Sequence, residues 1–336
     1  MSWDFIGSPL ICSATACSTV AARWKFWVDK SVSATQKILE LETKNNNSWI
    51  HAYSLQELSS PDALLINITL GCNSHHRFPD AIDDRARENR WKEESVKEFI
   101  SYAVGCMFGR YSLDKPGLIL ANAGDTLAEY LQQVPKPSFT PDADNVIPML
   151  DGDWFTDDAT ERCRSFLRVT FGEEKYEENL RFIEDALGKD LRKYMVKDFY
   201  NDHVKRYKKR PIYWLFASPK GTFSALVYLH RYRPDTVSVV LKYLREFKEK
   251  LAARRAYLDQ VSLNPSAGQG EKTKALKEND LLKKQLLELD DYEREVLFPL
   301  ASQQVALDLD DGVKVNYLKL GAALKKITGL DAKEED

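Results

Sequence analysis

Cationic side chains crowd one stretch in the middle of the sequence, where they could bind phosphate groups. Residues 205–233 contain eight Lys or Arg residues, seven aromatic residues and no Asp or Glu. Ammonium and guanidinium groups pair with phosphate oxygens, and aromatic rings either stack on bases or support the fold beneath the charges. The candidate phosphate-binding residues are Lys205, Arg206, Lys208, Lys209 and Arg210, with Arg231 and Arg233 as weaker candidates.

The same charges have a purely structural alternative. Cations in the last turn of a helix are stabilised by the helix dipole, and a helix that ends near Arg210 would place them there. Acidic side chains in the preceding helices could also pair with them. These are Asp157, Glu161, Glu173, Glu174, Glu177 and Glu178. The sequence leaves both interpretations open.

The elements that position these charges follow from the residue pattern. Pro211 ends the basic helix, because proline has no N–H to continue it. Residues 212–217 and 223–230 are rich in aromatic and branched side chains and predict two strands joined by a turn at 218–222. Apolar residues at three-four spacing then predict helices over 235–260 and 272–297, separated by the helix-breaking stretch 264–270.

The predicted fold class is α+β and predominantly α-helical, with a central β-hairpin followed by a long helical hairpin. A Pro- and Asp-rich stretch is the best linker candidate. The predicted organisation is a mixed helical region, a linker, helices with the basic β-hairpin, the helical hairpin, and a C-terminal segment with a disordered tail. Their residues are 1–133, 134–153, 154–234, 235–298 and 299–336.

Composition predicts a globular protein of the cytoplasm. The 336 residues are 43% hydrophobic and 29% charged, with a net charge of -3. No apolar run reaches the roughly 18 residues that would cross a membrane, so we expect no membrane partner. The five cysteines are scattered without a CxxC pair, which favours a reducing compartment.

Motifs for catalysis, cofactors and metals are missing. The sequence has no GxGxxG, no GxxxxGK[ST] and no GxSxG pattern. Cys72 lies near His75 and His76, but no second ligand pair completes a zinc site, and a polar loop is the favoured interpretation. The acidic stretches at 142–145, 151–153 and 308–312 lack the EF-hand register and favour solvated turns. The sequence therefore predicts no catalytic, cofactor-binding or metal-binding residue.

Several long stretches of the sequence resemble one known family. They are the stretch that begins at Lys205, "KRYKKRPIYWLFASPKGTFSALVYLHRYRPDT", and residues 48–58, 97–122, 166–216 and 307–317. In the same order, they resemble stretches in the C-terminal region of PglX-type adenine-specific DNA methyltransferases of BREX phage-defence systems. The resemblance covers nearly the whole chain.

The resemblance implies a larger enzyme with an S-adenosylmethionine domain, a glycine-rich motif and an Asn-Pro-Pro-Tyr motif that holds a flipped adenine. This sequence has neither motif, so we expect a fragment or one half of a split protein that is inactive alone. The cofactor is implied only for the full-length family. The expected function is DNA engagement and structural support. The expected partners are double-stranded DNA, the missing N-terminal methyltransferase half and other defence proteins. The alternative is a protein-interaction module that docks through the helical hairpin.

Overall fold

The structure is a computed structural model that describes residues 7–12, 18–57 and 60–330. They divide into two compact units, each built from stretches that are distant in sequence. Unit 1 comprises Ala103–Phe166 and residues 191–330, and unit 2 comprises the described residues up to Tyr102 together with Leu167–Asp190. These borders differ from the predicted segment borders, which remain a prediction.

The described part of the chain is mainly helical. Its α-helices are α1 (Pro9–Cys12), α2 (Val20–Ala52), α3 (Ser74–Arg77), α4 (Asp84–Met107), α5 (Leu127–Gln133), α6 (Ala159–Phe171), α7 (Tyr176–Leu187), α8 (Leu191–Tyr194), α9 (Tyr200–Arg206), α10 (Thr236–Leu263), α11 (Gln269–Tyr292), α12 (Phe298–Gln303) and α13 (Gly312–Leu320). Two π-helical turns are Met195–Phe199 and Glu293–Leu297. Short 3-10 turns are Leu65–Asn67, Glu173–Lys175, Leu229–Arg231, Leu309–Asp311 and Gly321–Ala323. The strands are β1 (Val146–Pro148), β2 (Tyr213–Ala217) and β3 (Ser224–Tyr228).

Unit 2 is organised around the long helix α2. Thr19 caps its N-terminus, where its hydroxyl accepts a hydrogen bond from the Ala22 N–H. The Val20 N–H, which has no partner within the helix, donates to the Asn179 side chain at 2.8 Å. Trp24 packs edge-on against Trp91 with ring centroids 5.2 Å apart. These contacts tie the start of α2 to two other elements of the same unit.

Unit 1 contains an antiparallel sheet in the order β1-β3-β2. The predicted β-hairpin is confirmed as β2 and β3, which pair from Tyr213 opposite Tyr228 to Ala217 opposite Ser224. Both strands are buried along nearly their whole length, which explains their continuous apolar composition. The Glu288 carboxylate of α11 accepts hydrogen bonds from the hairpin turn, including one from the Lys220 N–H at 2.7 Å.

The predicted helical hairpin is confirmed as α10 and α11. Buried apolar side chains that recur every seven residues face each other along the two helices. They are Leu244, Leu251, Leu258, Ala275, Leu282 and Leu289. Ion pairs such as Arg254–Glu278 flank this contact. The predominantly α-helical α+β fold is therefore confirmed.

The Pro- and Asp-rich stretch 134–153, predicted as a linker, contributes the third strand to unit 1. Asn145, at a φ of 67°, exchanges hydrogen bonds with the backbone of Tyr228 through its side-chain amide. β1 lies at the edge of the sheet, where a proline such as Pro148 is tolerated because one side of the strand needs no ladder partner. Across the described ranges, no helix combines the length and apolar character that would let it cross a bilayer.

Candidate phosphate-binding surface

The cluster Lys205, Arg206, Lys208, Lys209 and Arg210, here called the basic strip, lies where α9 ends. The Lys208 N–H donates to the Lys205 carbonyl and the Lys209 N–H to the Val204 carbonyl. This is the Schellman pattern of helix termination, which usually has glycine at its left-handed position. Here Lys208 and Lys209 both adopt left-handed φ values, 48° and 64°. Two lysines therefore occupy a backbone conformation that favours glycine.

The basic strip has no acidic partner in the described part of the chain. No Asp or Glu oxygen of those residues lies within 4.0 Å of its side-chain nitrogens. Three of the acidic residues considered as partners pair with other cations: Glu161 with Arg192, Glu173 with Arg168, and Glu178 with Lys175. The structural alternative of internal ion pairing therefore has no support from these contacts. The helix-dipole contribution remains compatible with the position of Lys205 and Arg206 in the last turn of α9.

One side of the basic strip opens into a groove of about 530 Å³, here called the basic groove. One wall is α9 and its end, which contribute Lys205, Lys208 and Lys209. The other wall is the segment 325–328, which contributes Lys325 and Lys326. No acidic residue is among the described residues that line it. The fold thus brings together lysines that lie more than a hundred positions apart in the sequence.

The two walls of the basic groove are joined through buried tyrosines. The hydroxyl groups of Tyr200 on α9 and Tyr317 on α13 lie 3.0 Å apart, and Tyr317 donates to the Lys325 carbonyl. The Lys325 N–H donates to the Leu215 carbonyl of β2 at 2.8 Å. Burial raises the pKa of the Tyr200 phenol to about 12, so this hydroxyl stays protonated. The groove is therefore held by the core of unit 1.

Two ammonium groups of the groove, those of Lys209 and Lys325, lie close to other parts of the protein. The Lys209 Nζ lies 3.0 Å from the position that a Cβ would take on Gly329, so it contacts the second wall directly. Burial, and then the neighbouring Lys197, lower the pKa of the Lys325 ammonium, while Asp198 opposes this shift. The lowered pKa therefore reports mainly the burial of the Lys325 ammonium, with a smaller contribution from the charge of Lys197.

Arg231 lies inside unit 1, unlike the basic strip. Its side chain is buried, and its guanidinium donates to the carbonyls of Phe108, Asp142 and Ala143 at 3.3, 2.8 and 3.1 Å. This charge is enclosed by backbone oxygens, so the Arg231 guanidinium is not available to a phosphate group at the surface. Arg233 is exposed and pairs with Asp235 at 3.5 Å.

The aromatic side chains of 205–233 lie mostly in the core. Tyr213, Trp214, Phe216, Phe223 and Tyr228 are all buried. They support the sheet, so they cannot stack on a base in this conformation. Tyr207, within the basic strip, is half-buried. The surface therefore consists mainly of charged side chains.

His203 is a buried neutral side chain directly beneath the basic strip. Its Nε2 accepts the Tyr213 N–H at 3.1 Å. Burial, then the charges of Arg206 and Arg110, lower the pKa of the imidazole to about 3. The same helix α9 thus holds one uncharged base inside and several full charges outside.

The other sequence candidates do not assemble into a site. His75 and His76 lie on the short helix α3, where the His76 Nδ1 is 3.0 Å from the Ile66 carbonyl. Within residues 7–12, 18–57 and 60–330, no three His, Cys, Asp or Glu side chains are placed to hold a metal ion. Asp308 caps a 3-10 turn through the Asp310 N–H.

Sequence reasoning missed Lys325 and Lys326. They form an unremarkable pair near the end of the chain, outside the stretch of concentrated charge. Only the pairing of their segment with β2, through Leu324 opposite Phe216, brings them to the basic strip. Nothing in the local sequence signals that contact.

Comparison with known proteins gives a consistent class. No family model matches the chain. The chain is similar over 98% of its length to adenine-specific methyltransferases. One is BrxX of Escherichia coli O9:H4 (strain HS), 36% identical over 349 aligned residues, and another is PglX of Lacticaseibacillus casei (strain Zhang), 35% identical over 344.

The match covers only part of those relatives. The chain spans 28% of the length of BrxX and 26% of PglX, in their C-terminal part. The predicted resemblance is confirmed: this chain is homologous to the C-terminal part of adenine-specific methyltransferases. The relatives to which it is homologous are named BrxX and PglX.

Proposed function

We propose that this chain is the non-catalytic, DNA-engaging part of an adenine-N6 DNA methyltransferase of a BREX-like phage-defence system. Its role is to hold duplex DNA by the phosphate backbone and to support the catalytic half of the enzyme. The observation that carries the proposal is the basic strip, five exposed or half-exposed cations with no acidic partner in the described ranges. Such charges bind phosphates in a sequence-independent way and position a protein on the duplex.

The names of the relatives support DNA as the polyanion. Both are adenine-specific methyltransferases by name, and such enzymes must hold DNA while a base is taken out of the helix. The glycine-rich and Asn-Pro-Pro-Tyr motifs are absent from this sequence. We therefore propose that S-adenosylmethionine binds to another segment, and that the intact enzyme unites that segment with this one.

The test is fluorescence anisotropy of a labelled duplex with the purified chain at several salt concentrations. We expect affinity to fall steeply with salt. Lys208→Gln with Lys209→Gln should reduce the slope of log K against log salt by about two. The matched control is Lys274→Gln with Lys277→Gln, which removes two exposed lysines of α11 and should leave the slope unchanged. Equal slopes for the two variants would contradict the proposal.

A protein-interaction module is the second candidate, because the helical hairpin exposes large apolar side chains. Leu276, Leu281 and Leu287 on α11 are each more than half exposed. Such exposed leucines fit contact with another protein of the same defence system. Leu276→Glu with Leu287→Glu should then abolish co-purification of that partner and leave DNA affinity intact. Retained co-purification would exclude this face.

A further inference from the structure

We infer that Arg110 is a phosphate-binding residue, held in place by buried tyrosines beside the basic strip, and that its guanidinium receives a phosphodiester group of the DNA backbone. The assignment of DNA rests on the proposed function. The assignment of an oxyanion rests on the surroundings of Arg110 itself.

The backbone of Arg110 is fixed by the end of helix α4. The Arg110 N–H donates to the Gly105 carbonyl at 2.8 Å, and the Gly109 N–H donates to the Cys106 carbonyl at 3.1 Å. These two bonds form a Schellman motif with Gly109 at its left-handed position, where φ is 76°. The Arg110 carbonyl accepts the Ile119 N–H at 2.9 Å. The side chain therefore extends from a backbone position that the fold holds in place.

The guanidinium of Arg110 is held by two phenol groups. Its Nε donates to the Tyr111 hydroxyl at 3.3 Å and its Nη1 to the Tyr228 hydroxyl at 2.8 Å. The Tyr228 hydroxyl itself donates to the Leu120 carbonyl at 2.8 Å, which leaves its lone pairs for Arg110. The guanidinium carbon lies 5.6 and 5.9 Å from the ring centroids of Tyr111 and Tyr228. A guanidinium held in this way loses little conformational entropy when a ligand binds.

The contacts of Arg110 leave its positive charge in place. Burial lowers the pKa of this guanidinium, whereas the neighbouring tyrosines, Tyr228 first among them, raise it, and the net direction is upward. Burial raises the pKa of the Tyr228 phenol to about 12, so that hydroxyl is uncharged at neutral pH. Among the residues that the structure describes, no carboxylate oxygen lies within 4.0 Å of the Arg110 nitrogens. The site therefore holds a full positive charge without a negative one.

The guanidinium of Arg110 also has donors to spare, unlike two other arginines of unit 1. Arg231 donates to three backbone carbonyls, and Arg192 pairs with Asp153 and Asp158. Arg110 uses two of its five N–H groups, both on phenol oxygens, and its side chain is partly exposed. Because a charge withdrawn from water needs acceptors in its place, an oxyanion that takes two parallel N–H bonds fits this position.

Arg110 lies next to the basic strip in space, although it is far from it in sequence. After burial, the charges of Arg206 and Arg110 lower the pKa of the His203 imidazole, so both guanidinium groups act on one ring. The Arg110 charge also opposes the rise that burial causes in the pKa of the Tyr207 phenol. The rings of His203 and Tyr207 are 4.6 Å apart. A duplex bound along the basic strip would therefore meet the Arg110 charge as well.

The test is fluorescence anisotropy of a labelled duplex with variants of the full chain. Arg110→Gln should weaken binding about tenfold and lower the slope of log K against log salt by about one, as expected for one lost phosphate contact. Arg110→Lys keeps the charge but not the planar fork, so the slope should be retained while affinity falls about threefold. The matched control is Arg255→Gln on α10. Arg255 is half-buried and donates to Asn279, and its removal should change neither quantity.

A footprint on the unmodified chain gives a second readout, which does not depend on the folding of any variant. Arginine modification by butanedione is followed by mass spectrometry. The probes are a short DNA duplex and inorganic tripolyphosphate, each added separately. Duplex should slow the modification of Arg110 about threefold or more, whereas Arg255 should keep its rate.

The outcomes separate this inference from the proposed function. DNA binding that depends on Lys208 and Lys209, with equal slopes for Arg110→Gln and Arg255→Gln, would overturn the role of Arg110 and leave the proposed function standing. No DNA binding at low salt would refute the proposed function. Protection of Arg110 by tripolyphosphate would then still uphold an oxyanion site and identify a free polyphosphate as its ligand. No protection by either probe, or no reaction of Arg110 in the free chain, would overturn the site.

Discussion

The two ends of the basic stretch 205–233 carry the same kind of side chain in opposite situations. At one end, the Arg231 guanidinium is enclosed and donates to three carbonyls of residues 108–143. At the other end, the basic strip has no acidic partner in the described ranges and faces an open groove. The density of charge along the sequence therefore does not predict the role of a cationic side chain, because that role depends on which oxygen atoms the fold places beside it.

The comparison also shows what each kind of charge contributes. An enclosed guanidinium satisfies backbone carbonyls that would otherwise lie unpaired, so it stabilises the fold. An unpaired exposed ammonium contributes little to stability and remains available to a ligand. The two ends should therefore respond oppositely in assays of folding and of DNA binding.

The largest effect should come from Arg231→Met. This change keeps much of the apolar stem but leaves the carbonyls of Phe108 and Asp142, which are buried, and that of Ala143, which is partly buried, without their donor. We expect a loss of about 3 kcal/mol in the free energy of unfolding. Urea denaturation measures it. The control, Arg233→Met, removes an exposed charge and should change stability by less than about 0.5 kcal/mol. Similar losses for both variants would erase the distinction between the two ends.

His203 gives a prediction about pH. Its native pKa of about 3 lies below the value of about 6.5 expected in the unfolded chain, so the unfolded state binds more protons between these limits. The His203 contribution is fully present above pH 6.5 and is lost as pH falls toward 3. From pH 7 to pH 5 we expect about 2 kcal/mol of destabilisation from this residue.

The measurement is the difference in unfolding free energy between the protein and its His203→Gln variant across this range. Glutamine does not titrate, and its side-chain oxygen is expected to accept the Tyr213 N–H. The difference should therefore change with pH in the stated window and stay constant above it. A constant difference at all pH values would show that the imidazole is not kept neutral by burial.

Tyr317→Phe tests how the groove is held. The change removes one hydroxyl that bonds both the Lys325 carbonyl and Tyr200, and we expect a loss of about 1 kcal/mol in stability. The DNA salt slope should fall as the second wall loosens. Tyr257→Phe, on an exposed side chain of α10, is the control and should change neither quantity. Lower stability with an unaltered slope would show that the wall does not depend on this bond.

Much of the fold could be predicted from the sequence, whereas little of the site could. The β-hairpin and the helical hairpin follow from local periodicity, since each pattern repeats within a few residues. Strand β1 was hidden in a stretch rich in proline, because its assignment depends on pairing with β3 some eighty residues away. Arg231 and its carbonyl partners are likewise far apart in the sequence, so no local pattern predicts their contact.

The basic strip could be predicted because its residues are close in sequence. Five cations within six residues form a local pattern, whereas the presence or absence of a partner for each cation depends on residues elsewhere in the chain. Lys325 and Lys326 join the strip only after the segment around Leu324 pairs with β2. When a site is built from two distant stretches, sequence analysis can recognise only the stretch in which the charged residues are concentrated.

The smallest effect concerns the conformation of Lys208 and has an unusual sign. Lys208 holds the left-handed position of a Schellman motif, where glycine is favoured. Lys208→Gly should therefore raise stability by up to about 1 kcal/mol, while removal of its charge lowers the DNA salt slope by about one. Lys205→Gly is the matched control: it removes a charge from the same strip but lies within α9, where glycine should cost up to about 1 kcal/mol. Equal DNA salt slopes with opposite stability changes would separate the effect of the lost charge from the effect of the backbone conformation. They would also show that this helix end loses stability because it places a lysine at the groove. A loss of stability in both variants would mean that the Lys208 side chain has a structural contact of its own, and the strain would then say nothing about binding.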